Sequence, residues 1–124
     1  MKYLILIHQN RTARQQFASM PADVQAEGLA GYRRLNDALV SSGEFVAAEG
    51  LADDSTGTVV SLRSGAVVTS DGPFAESKEL LAGFYLVDVS SRERAIEIAA
   101  QFPEVQAGAA DVEVRPVLEY TFPD

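Results

Sequence analysis

The sequence contains no cysteine. Disulfides, thiolate metal ligands and a cysteine nucleophile are therefore excluded. It has a single histidine, His8, so a catalytic zinc centre, which needs several side-chain ligands, has no support. Basic residues are scarce: ten Lys and Arg against eighteen Asp and Glu leave a net charge of −8. Nucleic-acid binding needs clustered basic surface that displaces counterions, so that partner class is excluded. No apolar run approaches the ~20 residues of a membrane span. The apolar start, residues 2–8, is too short for a secretion signal and runs into Gln9-Asn10-Arg11 without a small-residue cleavage site. A cytoplasmic protein with no membrane partner is the expectation. The glycines are scattered, with no spaced set at a strand-to-helix turn to cradle phosphate, and no serine sits in a nucleophile-elbow pattern. Haem, flavin and nicotinamide have no support, and no cofactor is expected.

What remains is an ordinary globular mixture. The 124 residues, 47% hydrophobic and 23% charged, suit a single domain over 1–124 with a real core. Residues 2–8 form an isoleucine- and leucine-rich run short enough for a strand buried on both faces. Residues 11–19 read as a polar connection with a helical turn. Pro21 suits a first helical turn, with Ser19 as the cap and Asp23 at the positive end. Val24, Leu29, Tyr32, Leu35 and Leu39 make the apolar stripe of that helix, which stops at Ser42-Gly43.

Further on, residues 45–51 read as a second strand. Residues 58–63 and 66–70 are β-rich runs joined by Ser64-Gly65, a tight-hairpin pattern. A turn at 71–74 and a short polar stretch at 75–81 precede a strand at 83–89. Ser90 and Glu93 have capping-box spacing for a second helix, which buries Ala95, Ile98, Ala99 and Phe102 and stops before Pro103. Residues 111–120 make a last strand, with Arg115-Pro116 implying an edge position.

The order β-α-β, inserted hairpin, β-α-β is that of an α+β ferredoxin-like domain with an antiparallel sheet. Tyr3, Ile5 and Ile7 point to one side of the first strand while Leu4 and Leu6 point to the other; Phe84 and Leu86 likewise oppose Tyr85 and Val87. Two helices cover only one face. A second copy, packed sheet on sheet about a twofold axis, is the simplest cover for the other, so a homodimer is expected.

The run Asp71-Gly72-Pro73-Phe74-Ala75-Glu76-Ser77-Lys78-Glu79 resembles the signature of the DGPF-domain proteins, a branch of the YCII-related family. Lys2-Tyr3, Glu49-Gly50-Leu51, Gly83-Phe84-Tyr85-Leu86-Val87 and Val114-Arg115-Pro116-Val117 extend the likeness over nearly the whole chain. The resemblance implies a dimeric α/β barrel made from two ferredoxin-like units. It also implies a bacterial source, the family being widely distributed in bacteria and largely uncharacterised, with members that often sit beside alternative sigma factors. The YCII branch is associated with a histidine and aspartate pair, and the resemblance sets its histidine opposite Tyr32, whose phenol, with a pKa of ~10, is no ready base.

Asp71 and His8 are the residues to which a catalytic role is assigned. Asp71 has the alternative of closing an Asx-type turn before Gly72-Pro73; His8, that of a polar cap on the core at a strand end. The expected binding residues are Tyr32, Glu49, Pro73, Phe74 and Tyr85. Pro73 also restricts its turn, and Phe74 is suited to packing. Glu49, flanked by alanine and glycine, is expected to be buried and to need a partner such as Arg115. Tyr32 and Tyr85 are expected to be half-buried, with hydroxyls free to reach a ligand. The leading functional reading is a small-molecule-binding protein or enzyme with a pocket between sheet and helices. The alternatives are a non-catalytic protein partner in a sigma-factor-linked regulatory circuit, or a vestigial fold that keeps only its dimer.

Overall fold

The computed structural model describes residues 1–72 and 79–123. Among the described residues, six strands and four helices follow in the order β1 (Lys2–Asn10), α1 (Arg11–Ala18), α2 (Ala22–Ser42), β2 (Phe45–Gly50), β3 (Thr58–Arg63), β4 (Ala66–Asp71), β5 (Glu79–Asp88), α3 (Arg92–Ala100), α4 (Pro103–Gln106) and β6 (Ala110–Pro116). Strands β2-β5-β1-β6 form one antiparallel sheet, and β3-β4 a separate two-stranded one. The four-stranded order is that of the ferredoxin-like fold, as expected. Among the described residues no helix is long and apolar enough to cross a membrane.

Local chemistry moved several element boundaries. The polar stretch after β1 is a full helix because the Asn10 side chain accepts from the amides of Thr12 (2.9 Å) and Ala13 (3.3 Å), capping its first turn. Ser19 ends that helix rather than capping the next, and α2 starts after Pro21 without a side-chain cap. Ser91, not Ser90, caps α3, accepting from the Arg94 amide at 3.1 Å. The last strand stops at Pro116, four residues short of the expected end, as a residue with no amide hydrogen would.

The core lies between the sheet and the helices. Tyr3, Ile5 and Ile7 of β1, Tyr85 and Val87 of β5, Leu35 and Leu39 of α2, and Ala95, Ile98, Ala99 and Phe102 form one buried cluster. The apolar stripe of α2 is narrower than the sequence suggested. Val24 is 44% and Leu29 65% exposed, and only Leu35 and Leu39 of this helix are buried.

Two glycines are set by geometry. A Cβ on Gly83 would lie 2.7 Å from the Glu49 carbonyl oxygen, so only glycine lets β2 and β5 approach there. Ser64 (φ 49°) and Gly65 (φ 77°) both take the left-handed conformation that a two-residue hairpin turn requires.

Candidate functional site

The sheet divides the expected site residues into two sets that cannot share a pocket. Side chains alternate along each strand, and the registers Ile5↔Tyr85, Leu6↔Phe84, Leu6↔Glu113 and Glu49↔Phe84 fix who faces where. Tyr85 faces the helices. Leu4, Leu6, His8, Phe84, Leu86, Ala47, Glu49, Asp111, Glu113 and Arg115 face outward. The pocket expected between sheet and helices is filled with core side chains.

On the inner side, Tyr32, Tyr85, Phe45 and Phe102 form an aromatic cluster, with Tyr85 and Phe102 ring centroids 4.9 Å apart and Tyr32 and Tyr85 6.1 Å apart. Neither tyrosine hydroxyl is free, contrary to expectation. Tyr32 donates to the Glu104 carboxylate and Tyr85 to Asn36 Oδ1, because a phenol taken out of water must find an acceptor. Burial, and then the bond to Glu104, raise the Tyr32 phenol far above its ordinary value. Burial pushes the Tyr85 phenol up to about 12, with the Asn36 bond opposing. These are core tyrosines with satisfied hydroxyls.

On the outer side, Leu4, Leu6, Phe84 and Leu86 make a half-buried apolar floor, and none of the four joins the inner cluster. Polar side chains stand at its edge. His8 Nε2 lies 3.7 Å from Glu113 Oε1, with side-chain exposures of 35% and 42%. Arg115 donates to Glu113 Oε2 from Nε (3.0 Å) and Nη2 (2.6 Å). These bonds, and then desolvation opposing them, set the Glu113 carboxyl, which ends below its usual range with a smaller contribution from His8. The imidazole, the carboxylate and the guanidinium thus stand together as a polar group at the edge of the floor.

Glu49 is exposed and lies on the β2 edge, with β5 and β1 between it and Arg115 on β6. The partnership expected between them does not form, and an exposed carboxylate does not need it. Asp71 is exposed and accepts from the Thr58 hydroxyl at 3.2 Å, while the Gly72 amide donates to the Gly57 carbonyl at 2.8 Å. Asp71 thus closes the base of the β3–β4 hairpin. Asp71 belongs to the separate hairpin sheet and His8 to the four-stranded one; Arg11, which follows β1, donates to Asp54 (Nη1 to Oδ1, 2.8 Å), and Arg14 Nη2 donates to the Leu51 carbonyl at 3.2 Å, holding the loop that leads into the hairpin. Asp71 and His8 each have their own partner, Thr58 for Asp71 and Glu113 for His8. Pro73 and Phe74, expected as binding positions, lie outside the described residues.

Glu113 is the site residue that sequence reasoning missed. Its outward position and its neighbour follow only from the β1–β6 register; alternate positions 113 and 115 in the last strand were the available signal. A groove of ≈ 910 Å³ also runs along α2 beside α4, lined by Glu27, Gly28, Gly31, Arg34, Pro103 and Gln106 among others. It contains none of the expected site residues.

A family model described as the YCII-related domain matches residues 1–119. An uncharacterised protein of Rhizobium meliloti (strain 1021) is 40% identical over 57 residues, which is 46% of each of the two chains. The chain therefore spans less than half the length of this relative, and the likeness assigns neither an activity nor a partner. With the family match running over almost the full sequence and the four-stranded order in agreement, the chain belongs to the YCII-related domain family.

Proposed function

We propose that this chain is a small-molecule-binding protein that works as a homodimer, its ligand held on the outer sheet face beside His8 and Glu113. One observation carries the reading: the His8–Glu113 pair, 3.7 Å apart, stands at the rim of a half-buried apolar floor whose residues do not join the inner core. An apolar floor with a few convergent polar groups is the usual make-up of a small-molecule site. A second copy packed over the rest of this face would exclude water from its edge and strengthen polar contacts made there. The ligand class that fits offers a hydrogen-bonding or ionisable group to His8 and a small apolar body to the edge of the floor beside it.

The test is a metabolite screen by thermal shift on wild type, His8→Gln and Glu113→Gln, since a ligand that binds the native state raises its apparent stability. Compounds that stabilise the wild type should stabilise His8→Gln weakly or not at all. As His8 is the only histidine, its imidazole resonances are unambiguous and should shift when such a compound is added. A ligand response unchanged in both variants, with static imidazole resonances, would overturn the site.

A further inference from the structure

We draw no further inference here: the strongest candidate, the open groove of ≈ 910 Å³ along α2 beside α4, carries nothing because its lining side chains are mostly exposed and nothing in the structure shows what occupies it.

Discussion

The two faces of the four-stranded sheet are built from the same kinds of residue and end in different states. On the inner face Ile5 and Val87 are completely buried, as is Phe102 packed against them, Tyr85 is 5% exposed, and the phenols of Tyr32 and Tyr85 each have an acceptor. On the outer face Leu4, Leu6, Phe84 and Leu86 are only half-buried, and the charged groups stand around them rather than among the helices. Alternation along a strand makes both faces apolar, but helices reach one of them. The inner face therefore supplies stability, and the outer face is left for association and binding. A residue's neighbours in sequence do not tell these roles apart; its place in the register does.

The largest effect should come from truncating the inner face. Phe102→Ala should cost about 3–5 kcal/mol, the loss expected for a fully buried aromatic ring, read as a fall in the urea midpoint. Phe84→Ala, the same truncation on the other face, should cost under about 1 kcal/mol when measured at high dilution. Equal losses would erase the distinction between the faces.

Tyr85→Phe keeps the ring and removes only the hydrogen bond to Asn36, so about 1 kcal/mol is expected. Its pH dependence has a definite sign. The phenol is pushed up to about 12 by burial, so the stability that comes from keeping it neutral is complete below pH ~10 and is lost as pH rises toward 12. Stability curves of wild type and Tyr85→Phe should therefore converge in that window. Curves that stay parallel from pH 8 to 12 would count against a buried, neutral Tyr85.

The opposite sign applies to Glu44. Its carboxylate takes hydrogen bonds from Arg94 Nε and Nη2, each at 2.8 Å, and these, against some desolvation, bring its pKa down to about 2. This pair ties the end of α2 to α3 and is stabilising above pH ~4.5, losing its contribution as pH falls toward 2. Glu44→Gln should cost about 1 kcal/mol at pH 7, discounted for partial exposure, and almost nothing at pH 2.

Much of this architecture was legible before any coordinates, and the reason is that local signals are strong. The short unbroken apolar run at 2–8 marked β1, the Ser64-Gly65 pair marked the hairpin, and the order of elements pointed to the fold class. Helix caps were less legible, because Asn10, Ser19, Ser90 and Ser91 are all chemically able to cap and only backbone direction chooses among them. The site was the least legible part. His8 and Glu113 are 105 positions apart, so their meeting depends on β6 returning beside β1 in one register. Tyr32 and Tyr85 were expected beside a ligand because an isolated phenol looks available; Asn36 and Glu104, which occupy them, are brought there only by α2 and α4.

The smallest effect is expected at Asp71. Its carboxylate is exposed and accepts from the Thr58 hydroxyl at 3.2 Å, and asparagine keeps an oxygen that can do the same. Asp71→Asn should change stability by no more than about 0.5 kcal/mol. A large drop would mean that the charge itself is paired in the folded protein.

Sedimentation of the wild type beside Leu6→Asp bears most directly on the division between the two faces. Leu6 is half-buried on the outer face, away from the core. The wild type should sediment at twice the chain mass at ~10 μM, as expected of an interface above ~1,000 Å². Leu6→Asp should be a folded monomer with an unchanged far-ultraviolet spectrum. A wild type that stays monomeric across that range, or a Leu6→Asp variant that still dimerises, would contradict it.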